Sequence, residues 1–156
     1  KARTIKWGVN KNETAHYKEI LASLELGLEE RLTSKVGLLS GGQRQALTLL
    51  MATLKKPKVL LLDEHTAALD PKTAKKVLDI TQKIVAENNL TTIMITHNMK
   101  DAIRIGNRLI MMNNGKIIYD VSGEEKKNLT TAQLVEKFKT SSGEELDNDR
   151  MLLAED

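Results

Sequence analysis

Leu39-Ser40-Gly41-Gly42-Gln43, then Val59-Leu60-Leu61-Leu62-Asp63-Glu64 with Ala68-Leu69-Asp70 just beyond, decide how this chain folds. An apolar run leading into two carboxylates describes a parallel strand buried on both faces. It surfaces at the carboxyl edge of its sheet, where α/β proteins place their ligands. Asp63 and Glu64 are therefore expected at an active edge. Upstream, Ser40 and Gln43 have the S-x-x-Q spacing of a capping box, and the glycines between them let the backbone come close to a ligand. Ser40 thus begins a helix whose first amides can receive an anion.

Downstream of the strand, Asp70-Pro71 reads as an N-cap followed by proline at the first helical position. Ala74, Val77, Leu78, Thr81, Ile84 and Val85 then repeat at helical spacing until Asn88-Asn89. The next apolar stretch, Thr92-Ile93-Met94-Ile95-Thr96, is a strand that a right-handed crossover sets parallel to the first, so His97 should emerge at the same edge as Asp63 and Glu64. Asn98 to Ile105 reads as a short helix. Arg108 to Asn113 and Lys116 to Asp120 read as strands joined by Asn114-Gly115, which favours a type I′ hairpin. Thr130-Thr131-Ala132-Gln133 is a second capping box and opens a helix through Val135 and Phe138.

Working back from Leu39, Arg31 to Leu38 is a connector. Glu13 to Leu24 places Ala15, Ile20, Leu21 and Leu24 along one helical face, ending near Gly27. Trp7-Gly8-Val9 suggests a turn before that helix. The helix that Ser40 opens, with Ala46, Leu47, Leu49, Leu50, Ala52 and Thr53, has hardly any polar side and is expected to be buried all round. Lys55-Lys56-Pro57-Lys58 breaks it. After Lys139 the tail is acidic, and Met151-Leu152-Leu153 could dock or fray.

A chain of 156 residues with 40% hydrophobic content suits one globular α/β unit. Its 24 basic and 21 acidic residues are interspersed and leave +3, which argues for no nucleic-acid partner. The aromatic residues Trp7, Tyr17, Tyr119 and Phe138 are scattered and form no stacking platform. With no cysteine there is neither a disulfide framework nor a thiolate metal site, in keeping with a reducing compartment. The longest near-apolar run, Ala46 to Leu54, is far below a membrane span, so a membrane link must come through a partner.

The motifs in this order resemble the second half of an ATP-binding cassette (ABC) ATPase, the engine of ABC transporters. In that family Leu39 to Gln43 is the signature motif, Val59 to Glu64 the Walker-B strand and Ala68 to Asp70 the D-loop, while His97 is similar to the switch histidine. The likeness runs strongly from about Gly37 to Phe138. It implies an α/β fold that is part of a P-loop NTPase core, with parallel strands flanked by helices, a C-terminal β-hairpin and part of the helical subdomain. Residues 1–38 would end the helical subdomain, 39–140 would form the C-terminal part of the ATPase core, and 141–156 the acidic tail.

The resemblance also implies ATP and Mg2+, with Asp63 serving magnesium through water and Glu64 and His97 as the catalytic pair. Ser40, Gly41, Gly42 and Gln43 would meet ATP held by the opposite subunit of a head-to-tail dimer, and Asp70 would cross the same interface. The implied partners are that second ATPase subunit, transmembrane permease subunits and a solute-binding protein. The implied location is the cytoplasmic face of the cell membrane.

Each of these residues has a plainer reading. An Asp-Glu pair alone commonly begins a solvated loop, a Ser-Gly-Gly alone is a capped helix, and a lone strand-end histidine is often a core residue. Their joint register favours the catalytic reading. His65 and His16 lack such company, and a three-histidine metal site has no i, i+4 pairing to support it. A DNA-repair or chromosome-maintenance ATPase shares the signature and Walker-B motifs, but His97 and the short gap from Gln43 to Val59 argue against it, as does the lack of heptads. A non-catalytic module donating Ser40 to Gln43 to another subunit is the third reading.

The sequence departs from the commonest family pattern in three ways. His65 stands where proline is usual and Ala67 where serine is usual, which points to a less common importer-like subgroup and hints at amino-acid-like solutes. The third is the phosphate-binding loop G-x-x-x-x-G-K-[ST]: at the Gly115-Lys116 pair, Ile110 replaces the first glycine and Ile117 the hydroxyl residue. The chain begins at Lys1 without methionine, and the Walker-A loop, the adenine-stacking aromatic and the glutamine loop are expected upstream. This chain alone is then expected to be inactive.

Overall fold

The computed structural model describes residues 11–142. The Trp7 turn and the Met151-Leu152-Leu153 tail lie outside the described residues. In order, the elements are α1 (Lys11–Ala22), two 3-10 turns (Glu29–Arg31 and Val36–Leu38), α2 (Gly41–Thr53), β1 (Val59–Asp63), α3 (Pro71–Asn88), β2 (Thr91–Ile95), α4 (Met99–Arg104), β3 (Arg108–Asn113), β4 (Lys116–Ser122), α5 (Gly123–Lys127) and α6 (Thr131–Ser142). β1 and β2 pair as parallel neighbours, and β3 and β4 form a separate antiparallel pair. The chain divides into two compact units, Lys1–Leu61 with His65–Ile93, and Leu62–Glu64 with Met94–Asp156.

In the first unit α2 packs on α3. α3 starts as the sequence requires: the Asp70 carboxylate accepts from the Thr73 amide at 3.0 Å, Pro71 takes the first turn, and Asn89 ends the helix in the left-handed region at φ 49°. Its buried stripe is Val77, Leu78, Ile80, Thr81 and Ile84. Val77 and Leu78 are 0% and 2% exposed, each contributing about 1.5–3 kcal/mol of apolar burial. The buried Thr53 and Thr81 hydroxyls donate to the carbonyls of Leu49 and Val77, one turn back, which offsets the cost of removing them from water. After α1, Glu25 (φ 53°) and Gly27 (φ 67°) turn the chain so that Leu24 and Leu28 are buried. Gln43 Nε2 donates to the Leu26 carbonyl at 3.0 Å, and Lys76 Nζ to that of Glu25 at 2.7 Å.

The second unit is built on the β3–β4 hairpin. Asn114 (φ 48°) and Gly115 (φ 74°) supply the two left-handed residues that a type I′ turn demands. Leu109 faces Val121 across the ladder, and both join Met99, Leu134 and Val135 in one buried cluster. Arg108 and Asp120 form a two-pronged ion pair at 2.8 and 2.5 Å, exposed to solvent. α6 opens with the expected capping box, the Thr130 amide donating to Gln133 Oε1 at 2.9 Å and the Gln133 amide to Thr130 Oγ1 at 3.3 Å. α5 had no sequence signal of its own.

Two expectations are corrected. β1 is buried on one face, not both: Leu60 and Leu62 are inside, whereas Leu61 is 70% exposed and Val59 50%. Ile93 and Ile95 of β2 are likewise exposed, so the apolar run reports a strand able to be covered twice but covered once within this chain. Nor is α2 buried all round, since Ala46, Leu49 and Thr53 are inside while Met51 and Leu54 are exposed. No described helix is long and apolar enough to cross a membrane.

The Lys126 ammonium is buried and donates to the carbonyls of Ile103 and Ile105, the latter at 3.0 Å, tying α5 to the end of α4. Lys126→Met keeps the aliphatic stem and strands both carbonyls. It should destabilise the chain by about 1–3 kcal/mol, read as a lower urea midpoint at unchanged m-value.

Candidate functional site

The carboxyl ends of β1 and β2 belong to the second unit and carry Asp63, Glu64 and His97. Beyond β1 the Glu64 amide donates to the Ile95 carbonyl at 3.0 Å, which continues the β1–β2 pairing past the strand. Glu64 adopts φ 42°, a left-handed conformation that costs a branched or bulky residue about 1–2 kcal/mol and is common where a side chain must be aimed. Glu64 Oε1 then lies 3.1 Å from His97 Nδ1. With 51% of the histidine side chain and 44% of the glutamate exposed, the contact adds little stability, and water has free access to both groups. The structure thus brings together the two residues proposed from sequence as a catalytic pair.

Asp63 ends β1 exposed. No cluster of three or more His, Asp or Glu side chains able to hold a metal ion occurs among the described residues. An exposed strand-end carboxylate beside a second one fits magnesium, which keeps several waters and takes only one or two protein carboxylates together with phosphate oxygens.

The other proposed residues belong to the first unit. Ser40 caps α2 with a complete capping box: its Oγ accepts from the Gln43 amide at 3.2 Å and its own amide donates to Gln43 Oε1 at 3.0 Å. The Gly41 and Gly42 amides then stand at a helix start, outside the intrahelical ladder, where they favour an anion. Asp70 is exposed at the start of α3. Hydrogen bonding from the Thr73 side chain, and then from the Thr73 backbone, holds its carboxyl below the usual range.

Sequence reasoning passed over two features. Gln43 reaches beyond its capping box to the Leu26 carbonyl, fastening the start of α2 to the turn after α1. His65 Nε2 lies 3.1 Å from Thr81 Oγ1, and burial pushes the ring's pKa down. Neither contact has a local sequence signal, because each joins positions far apart in the chain.

The sequence model of a family described as ABC transporter matches residues 3–67. A tyrosine transport ATP-binding protein of Clostridioides difficile (strain R20291) is 52% identical over 128 residues, 82% of this chain and 51% of that protein. Methionine import ATP-binding protein MetN 2 of Oceanobacillus iheyensis is 41% identical over 140 residues, 86% of this chain and 40% of that one. A solved dimeric post-hydrolysis state of the ATP-binding cassette MJ0796, bound to ADP and Pi, matches with a TM-score of 0.58 and 30% identity over 78% of this chain and 50% of that chain. The chain spans about half the length of these relatives or less.

The depressed Asp70 value fixes a pH dependence. A carboxylate held below its unfolded value contributes stability above that unfolded value and loses it as pH falls through the native one. The stability advantage of the parent over Asp70→Asn should therefore be full at neutral pH and shrink below the ordinary carboxylate range. Urea denaturation at stepped pH checks this, and an advantage that grows toward acid would contradict it.

Proposed function

Because the chain belongs to the ABC ATP-binding cassette family, we propose that it supplies the signature, Walker-B, D-loop and switch-histidine portion of an importer-type ABC transporter ATPase. The whole subunit hydrolyses ATP to ADP and phosphate in a head-to-tail dimer. It sits on the cytoplasmic face of the membrane and drives permease subunits, served by a solute-binding protein. Residues 1–38 end the helical subdomain that meets the permease, and 39–140 belong to the ATPase core. The names of the tyrosine-transport and methionine-import relatives favour an amino-acid-like solute.

The observation that carries this reading is the 3.1 Å approach of Glu64 to His97. Hydrolysis needs a group to polarise water and a donor for the γ-phosphate. Glu64 is the acceptor for the water's proton. While Glu64 is ionised, a neutral His97 donates Nδ1–H to it and keeps a lone pair on Nε2. When Glu64 takes the water's proton on its other oxygen, Oε2, the Nδ1–H donation to Oε1 persists, so His97 holds the carboxyl in place through the transfer. One contact thus aims the carboxylate whose free oxygen receives the proton.

Asp63 would hold magnesium through water, and that ion when bound would neutralise phosphate charge. Ser40 and the amides of Gly41 and Gly42, with Gln43 securing the helix start, would receive the γ-phosphate of ATP held by the second subunit. Asp70 would cross the same interface.

In the intact cassette, Glu64→Gln should leave ATP binding in place while single-turnover hydrolysis falls by about a hundredfold or more, since the amide keeps the shape and cannot accept the proton. Parental hydrolysis by that variant would sink the assignment. This chain alone, without the lysine and amide cradle of a phosphate loop, should show weak or no binding of Mg-ATP by titration calorimetry, and tight stoichiometric binding would mean the site is misplaced.

A further inference from the structure

Gly41 and Gly42 occupy the first turn of α2, where alanine would favour the helix by about 1 kcal/mol. Neither has a positive φ, so backbone freedom does not explain them. What lies around them does. A Cβ on Gly41 would come 2.9 Å from Leu69 Cδ2. A Cβ on the buried Gly42 would run into the Thr73 methyl, with Val77 Cγ2 behind it at 3.7 Å. The space these glycines leave open is filled by the D-loop and the first turn of α3. Thr73 also faces the other way: its backbone N–H holds the Asp70 carboxylate at 3.0 Å, and the Leu69 amide closes the loop onto the Thr66 carbonyl at 3.1 Å.

We propose that Thr73 and Leu69 clamp the signature start to the D-loop, so that the phosphate-facing amides and Asp70 of one subunit move as one body, with Thr73 as the positioning residue. The clamp itself stands on packing alone; its bearing on catalysis rests on the ATPase reading above. Gly42 is then a glycine because α3 comes close, and not because a ligand does. The two explanations separate cleanly, since only the first lets a change on α3 compensate for a side chain at position 42.

The test uses the intact cassette with Mg-ATP and three variants: Gly42→Ala, Thr73→Ser and the pair combined. Serine drops the methyl but keeps both the hydroxyl and the backbone N–H that hold Asp70. Gly42→Ala should lower kcat by about tenfold to a hundredfold, as expected for sub-ångström displacement of reacting groups, with KM for ATP little changed. Thr73→Ser alone, which removes the methyl that fills the space at Gly42, should lower kcat less than Gly42→Ala does, and the double variant, in which the alanine methyl takes that space, should regain most of the kcat lost by Gly42→Ala.

A double variant as impaired as Gly42→Ala, or a Gly42→Ala protein of parental kcat, overturns the proposal. Thermal midpoints of all three are read alongside. If Gly42→Ala folds poorly, recovery of both midpoint and kcat in the double variant supports the clamp as a positioning device. Recovery of the midpoint without kcat overturns that role. A parental protein without ATPase activity would instead remove the functional reading itself, an outcome distinct from failed compensation in an active parent.

Discussion

The hydrogen bond from the Glu64 amide to the Ile95 carbonyl governs the edge at which Glu64 and His97 meet. β1 ends at Asp63, yet the backbone pairing continues for one more residue. That residue must hold its amide toward β2 while the chain turns away, and the left-handed conformation of Glu64 satisfies both demands. The amide is thus spent on the sheet and the carboxylate is free to meet His97. Moving the glutamate one position along would exchange the face to which its side chain points. The order Asp-Glu is therefore as significant as the presence of two acids.

Much of the fold was legible because the decisive signals are local. Asp70 before Pro71, Thr130 before Gln133 and Asn114-Gly115 each fix a few dihedral angles by their own chemistry, and the structure places a helix start, a second helix start and a hairpin there. The meeting of Glu64 and His97 was legible for a topological reason: a right-handed crossover returns the second strand parallel to the first, so residues just past both strands share an edge.

What sequence alone could not supply was the number of layers covering an element. The run from Val59 to Leu62 reads the same whether one face is packed or two, and Leu61 at 70% exposure shows which applies within this chain. The reason for Gly42 was equally hidden. A glycine at a helix start is compatible with ligand approach, backbone freedom or helix contact, and only the position of the Thr73 methyl separates them. Contacts between α2 and α3 span the whole of β1, and no spacing rule connects them.

His65 stands where the family usually has proline. Proline stiffens a loop by restricting its own φ, whereas this histidine fastens the loop to α3 from the side. Thr81 has a single hydroxyl proton, which goes to the Val77 carbonyl at 2.8 Å, so its oxygen can only accept from His65, and the ring's Nε2 must carry the hydrogen. The neutral ring is thereby fixed as one tautomer, with its lone pair on Nδ1. A further proton would fill Nδ1, against the cost of burial, and leave the bond to Thr81 intact. The imidazole here works as a rivet rather than a sensor, and acidification charges it without loosening its hold.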